Sequence, residues 1–385
     1  MGGRKDNVMI KGVFIISIFF VLYSYLGYPI SLWIISFFRR KNIVTGPLLP
    51  TVTIVLTVYN EAARVSQKID NIFKLDYPRD KLQVIVASDG STDGTNNIVK
   101  EYEVSNIDLL ELSERKGKEA AQKEAVRHSK GEIIVFTDVA TMLDTGSLKK
   151  IVSNFTDPSV GCVSSEDRLM DKSGKPAGEG LYVRYEMWLR RLESLVNSLV
   201  GLSGSFFAAR REVCEDFSGE LQSDFRTVLN AVKLGLRGVS DPEAIGWYED
   251  IVEEKKEFSR KVRTVIRGLT VFFRHLEFLN ILKYGLFSYQ YFCHKLLRWF
   301  VPFFLVLALL SNILLITGLS WWVLLLALQT MFYGLAFLGW RTNASVFGMI
   351  TKIPTYFVTV NASIFVAWIR FLRGERITMW TPSKR

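Results

Sequence analysis

The chain has 385 residues, with 48 Lys+Arg against 38 Asp+Glu, a formal net charge of +10 and 49% hydrophobic residues. That apolar content excludes a disordered chain, and the length allows two or three folded units. Three cysteines without paired spacing (Cys162, Cys214, Cys293) exclude a disulfide scaffold and a Cys-based zinc site, and three histidines leave little for His-centred chemistry.

Taken in chain order, the apolar residues come in blocks. Gly12–Phe38 carries no charged residue and exceeds the roughly 20 residues that a helical span needs. It predicts a transmembrane helix within residues 1–45. Arg39-Arg40-Lys41 follows directly, which places that end in the cytosol.

Residues 46–255 read as a soluble domain in which strands and helices alternate. Thr51–Val58, Gln83–Ala87, Ile107–Leu112 and Glu132–Thr137 are short apolar strands. Ala62–Leu75, Thr95–Val104 and Glu119–Ser129 are the helices between them. This order predicts an α/β fold with a parallel-type sheet covered on both faces, whose ligands bind beyond the carboxyl ends of the strands. Neither GxGxxG nor GxxxxGK[ST] occurs, so a Rossmann dinucleotide site and a P-loop have no support.

In residues 256–298, basic residues interleave with apolar ones: Arg260, Lys261, Arg263 and Arg267 with Val262, Val265, Ile266 and Leu269. This is the pattern of an amphipathic helix on an anionic leaflet, so the basic excess points to membrane lipids and not to nucleic acid. Trp299–Trp340 is again free of charge and holds two spans. Residues 341–385 contain a shorter apolar run, Ile353–Ile369, and a basic tail. Crossing as a fourth span would put Arg370, Arg373, Arg376, Lys384 and Arg385 outside, against the positive-inside rule, so this run is expected at the cytosolic interface.

The candidate chemistry hangs from strand ends. The first strand runs into Tyr59-Asn60-Glu61, the second into Ser88-Asp89-Gly90-Ser91-Thr92-Asp93-Gly94, and the fourth into Asp138-Val139-Ala140. Each alone has a second reading as turn chemistry. Adjacent parallel strands would bring all three to one rim. Asp224 likewise reads either as a solvated helix residue or as a functional carboxylate, with Glu249-Asp250 as the runner-up pair.

These motifs together resemble the membrane-embedded family-2 glycosyltransferases, the group of cellulose, chitin and hyaluronan synthases, from about Val13 to the C-terminus. The resemblance implies a glycosyltransferase-A-like, nucleotide-sugar-binding domain with transmembrane and interface helices at both ends. It assigns Tyr59, Glu61 and Asp89 to the uridine, the Arg115-Lys116-Gly117-Lys118 loop to the nucleotide, and Asp138 to a Mg2+ or Mn2+ ion. It makes Asp224, in Ser223-Asp224-Phe225, the catalytic base. Arg260 and Arg263 are assigned to the diphosphate and sugar, and the loop with Ser203, Gly204 and Ser205 to the acceptor. The implied activity is inverting transfer from a UDP-sugar to a glycan or lipid-linked acceptor, in polysaccharide synthesis at the inner or plasma membrane. Two departures matter. Ala140 replaces the second metal carboxylate, and Thr264 replaces a Trp that lies beside the growing chain in processive members. The few spans make a complete export channel in one copy marginal, which leaves a homo-oligomer open. The rival reading is a non-catalytic scaffold or export component with a decayed transferase domain.

Overall fold

The computed structural model describes residues 2–102, 107–170, 181–249, 254–316, 321–342 and 348–377. It divides into two units. One comprises residues 32–252, 270–288 and 377–385, and the other residues 1–31, 253–269 and 289–376.

The first unit is built on an eight-stranded sheet. Its strands in chain order are β1 (Val52–Val58), β2 (Leu82–Ser88), β3 (Ile107–Glu111), β4 (Ile133–Asp138), β5 (Met142–Leu143), β6 (Val160–Met170), β7 (Phe206–Arg210) and β8 (Arg237–Glu249). The order across the sheet is β3-β2-β1-β4-β7-β6-β8-β5. Strands β3, β2, β1 and β4 are parallel, as the sequence pattern predicts. β7 then runs antiparallel to both β4 and β6, and β6 pairs in parallel with β8. The sheet is therefore mixed, not parallel throughout.

All seven residues of β1 are buried, as expected of a strand covered on both faces. Ile54, Leu56, Val84, Val86 and Val135 form its core with Val65, Ile69 and Ile72 of helix Val65–Phe73. Those helix positions recur at three- and four-residue steps, which makes one apolar stripe. Gly131 is required by close approach: a Cβ there would fall 2.4 Å from the Thr53 amide nitrogen. The three cysteines are free and buried.

The second unit is helical. Four helices among the described residues are long and apolar enough to cross a membrane: Asn7–Phe38, Leu286–Leu314, Trp321–Arg341 and Met349–Leu372. Within this unit Phe14 packs edge-on against Trp322, Phe20 stacks on Phe304, and the Trp368 indole donates to the Trp299 carbonyl at 2.8 Å. Gly339 leaves no room for a side chain against Thr351 and Thr355, the close approach that small residues allow between membrane helices. The last helix has 24 residues and continues through Pro354. At 1.5 Å per residue it covers about 36 Å, against a hydrocarbon core of about 30 Å. The apolar run read from the sequence is thus only its middle, and length does not count against a fourth crossing. Residues 317–320, within the charge-free stretch read as two spans, lie outside the described residues.

Candidate active site

The rim beyond β1 and β2 is zipped together by its own turn residues. Asn60 has φ of 52°, a left-handed conformation that Asn tolerates. Its amide donates to Ser91 Oγ at 3.1 Å and its Oδ1 accepts from the Thr92 amide at 2.8 Å. The Glu61 amide donates to Thr95 Oγ1 at 2.9 Å, and the Ala62 amide to Asp93 Oδ2 at 3.1 Å. Burial pushes the Asp93 pKa up, and hydrogen bonds from Thr95 and Ala62 outweigh it, so the carboxyl sits below its usual range.

Two expected donor ligands are committed inside the protein. Glu61 is buried and takes both forks of Arg64, at 2.9 and 3.0 Å. Burial raises its pKa against the opposing pull of Arg64. Asp89 is 0% exposed. Its carboxylate accepts from the Lys116 amide at 2.7 Å and the Gly117 amide at 3.0 Å. The resemblance assigns Asp89 to the uridine. In this arrangement the carboxylate instead fastens the basic loop, because a buried anion must have its lone pairs filled. Gly90 is needed for that approach: φ is +68°, and a Cβ would fall 2.8 Å from the Arg115 nitrogen. Arg115 in turn lies over the Tyr59 ring, 3.9 Å from its centroid.

The loop delivers Lys118 to Asp138. Lys118 Nζ stands 2.5 Å from Asp138 Oδ1 and donates to the Gly204 carbonyl at 3.2 Å. The Lys118 side chain is 8% exposed and that of Asp138 28%. The Asp138 amide is held by the Ser205 carbonyl at 3.0 Å. Gly204 also borders the candidate base, since a Cβ on it would lie 3.0 Å from Asp224 Oδ2. Asp224 occupies the first turn of helix Ser223–Lys233. Its Oδ2 accepts from Gln222 Nε2 at 3.1 Å and its Oδ1 from the Phe225 amide at 2.9 Å. Lys118, Asp138, the Ser203–Ser205 loop and Asp224 therefore meet in one place.

Three members of the site escape the sequence reading. Asp167, on β6, accepts from Ser203 Oγ at 2.6 Å and from Ser205 Oγ at 2.7 Å. Gln222 orients Asp224. Lys68 is fully buried and donates to the Thr141 carbonyl just beyond Asp138. Burial pushes the Lys68 pKa down to about 7, with the Asp138 charge opposing. Its signal was a lysine at position 68 on the apolar stripe of Val65, Ile69 and Ile72.

Arg260 and Arg263 belong to the other unit, on helix Glu254–Arg274, whose Val262, Ile266 and Leu269 are buried. Arg260 donates to Glu257 at 2.8 and 2.9 Å. Of the runner-up carboxylates, Glu249 ends β8 and Asp250 lies outside the described residues. Among the described residues no group of three His, Cys, Asp or Glu side chains could hold a metal ion.

Residues 53–217 match the family model described as Glycosyl transferase family 2. The chain carries a family-2 glycosyltransferase domain. It is an enzyme domain, and its relatives include makers of glycans. Over 172 residues it is 28% identical to the glycosyltransferase AglE of Haloferax volcanii, covering 44% of this chain and 55% of that protein. Over 219 residues it is 26% identical to the poly-β-1,6-N-acetyl-D-glucosamine synthase of Staphylococcus aureus, covering 54% and 52%. The chain thus spans about half the length of the curated relatives it matches. A mannosyltransferase from Pyrobaculum calidifontis, solved in complex with GDP-Man and Mn2+, shares the fold of the transferase: TM-score 0.71 at 23% identity, covering 94% of this chain and 100% of that one. The fold is glycosyltransferase-A-like, an α/β sheet domain accompanied by four apolar helices.

Proposed function

We propose that this transferase moves a sugar, with inversion, from a UDP-sugar to a glycan or lipid-linked acceptor at a membrane. One observation carries the reading: Gly204 is shared by the donor-side pair, through its carbonyl on Lys118, and by Asp224, against which its backbone lies. Asp224 takes the proton from the acceptor hydroxyl as that oxygen attacks the anomeric carbon, and the bond to the diphosphate breaks. An α-linked donor gives a β-linkage. Lys118 supplies fixed positive charge to the departing diphosphate.

Asp138 fits a divalent ion only in company. It is one carboxylate, 28% exposed, with Ala140 where a second would stand. Diphosphate oxygens complete such a set, so Asp138 would hold Mg2+ or Mn2+ together with the donor. The ion supplies charge compensation for the leaving group. Arg260 and Arg263 are assigned to the diphosphate by the resemblance alone.

UDP is proposed from the resemblance. GDP-mannose, bound by the structural neighbour, is the competitor to include. The test is nucleotide release by the detergent-solubilised chain, offered UDP-sugars and GDP-mannose with candidate acceptors. Release of UDP that Asp224→Asn suppresses supports the reading. GDP release alone would replace the donor, and no release from any donor would sink the transfer reading.

The transferase domain is proposed to be cytosolic, from Arg39-Arg40-Lys41. The last helix then sets length against charge. Charge is expected to win and keep the C-terminus inside. A cysteine placed after Lys384 should resist a membrane-impermeant maleimide in intact cells, and labelling would establish a fourth crossing.

A further inference from the structure

We propose that Lys118 is a built-in competitor for the divalent ion: its ammonium holds Asp138 until a nucleoside diphosphate draws it away, so the ion is admitted only with the donor. This rests on the donor-site reading above and goes beyond it by assigning the order of binding and the residue that enforces it.

The argument begins with charge. Hard divalent cations are held by anionic and carbonyl oxygens. The described residues offer Asp138 and, with Ala140 beside it, no second carboxylate from the same loop. That single charge is already matched by Lys118 Nζ at 2.5 Å, in a pair whose lysine side is 8% exposed. Removal from bulk water strengthens such a pair. An incoming cation without nucleotide therefore meets a neutralised carboxylate and a resident positive charge.

The donor reverses that balance. A diphosphate offers Lys118 several anionic oxygens, each able to form a charge-assisted hydrogen bond. The root of the side chain stays fixed during the exchange, because Asp89 holds the amides of Lys116 and Gly117. Only the flexible four-carbon stem needs to move. Its departure uncovers Asp138 and also releases the Gly204 carbonyl, which Lys118 holds at 3.2 Å beside Asp224. The donor's arrival thus frees the metal-binding carboxylate and loosens the loop against the base in one exchange.

The test reads Mn2+ uptake by the full-length, detergent-solubilised protein, from the paramagnetic resonance signal of free Mn2+, so no turnover is needed. Wild type alone should bind weakly and should bind strongly once UDP or GDP is added. Lys118→Met should bind Mn2+ without nucleotide at least about tenfold more tightly than wild type, the scale of one charge-assisted bond. Lys118→Arg, which keeps the charge, should behave like wild type. Adding Asp138→Asn to Lys118→Met should abolish the gain. Equal nucleotide-free affinity in wild type and Lys118→Met would overturn the proposal. So would tight Mn2+ binding by nucleotide-free wild type that Asp138→Asn removes, and this arm decides the matter if Lys118→Met does not fold. If neither nucleotide binds by calorimetry, the donor-site reading fails instead, and the nucleotide-free comparison still judges Lys118.

Discussion

Two carboxylates, Asp89 on one half of the sheet and Asp224 beside the other, are treated in opposite ways. On the half formed by β3, β2, β1 and β4, Asp89, Glu61 and Asp93 are spent on structure, while Asp138 at the end of β4 is paired with Lys118 and stays partly exposed. Asp89 is saturated by backbone amides, Glu61 by Arg64, and Asp93 by Thr95 and Ala62. On the half reached through β7 and β6, Asp224 holds one amide of its own helix turn and the Gln222 side chain. Asp89, Glu61 and Asp93 thus serve as frame, whereas Asp224 stays partly exposed. A motif match therefore does not say which kind of residue it has found. The partners of each carboxylate do.

The sharpest way to break this contrast is to remove one acid from each half. Asp224→Asn keeps shape and loses basicity, so turnover should fall by roughly 10²–10⁴-fold, the range for loss of a general base. Folding and nucleotide affinity should stay close to wild type, as measured by thermal unfolding and calorimetry. Normal turnover would move the base elsewhere, with Glu249 and Asp250 next to test. Asp89→Ala should do the reverse. It strands the buried amides of Lys116 and Gly117, at about 1–3 kcal/mol for each unsatisfied group. The expected result is a lowered unfolding midpoint and loss of nucleotide binding through the loosened 115–118 loop. A variant that keeps its stability but no longer prefers UDP over GDP would make Asp89 a reader of the base, and the contrast between the halves would fall.

The same division explains what was legible in the sequence. The four parallel strands are short apolar runs bounded by Asn60, Asp93, Gly90 and Gly94, residues whose turn chemistry is local. Their order on one rim follows from the parallel sheet. The other half is nonlocal. β6 carries Ser164, Ser165, Glu166 and Asp167, and β8 carries Pro242, Gly238 and Gly246, so neither looks like a buried strand. They pair across some 80 residues of chain with two register shifts, between Val160 and Cys162 and between Ser164 and Glu166. β7 begins at Phe206, directly after the residues that the resemblance assigns to the acceptor. Asp167 was invisible for that reason: its partners Ser203 and Ser205 become neighbours only when β6 and β7 pair. Asp224 was found through the resemblance, and the amide that orients it, Gln222, carries no signal of its own.

Lys68 offers the finest test, because it is a fully buried charge on the same half as Glu61 and Asp89, whose buried carboxylates each take at least two hydrogen bonds. Its ammonium donates to one carbonyl, that of Thr141, inside an otherwise apolar helix face. Burial lowers its pKa from 10.5 to about 7, against the pull of Asp138. The sign of the consequence follows from linkage. Between about pH 7 and 10.5 the unfolded chain keeps this proton and the folded chain releases it, so the unfolded state binds more protons and stability rises with pH across that window. Below about pH 7 both states are protonated, and the cost of burying the charge is fully present. Lys68→Met removes the group. The unfolding midpoint of wild type should therefore climb relative to the variant as pH rises from 7 to about 9.5, with a slope of at most about 1.4 kcal/mol per pH unit for a single proton. Parallel curves would mean that Lys68 stays charged inside the fold, held by Thr141 and Asp138 together. That half of the sheet would then keep a permanent cation within the electrostatic reach of Asp138, in addition to Lys118.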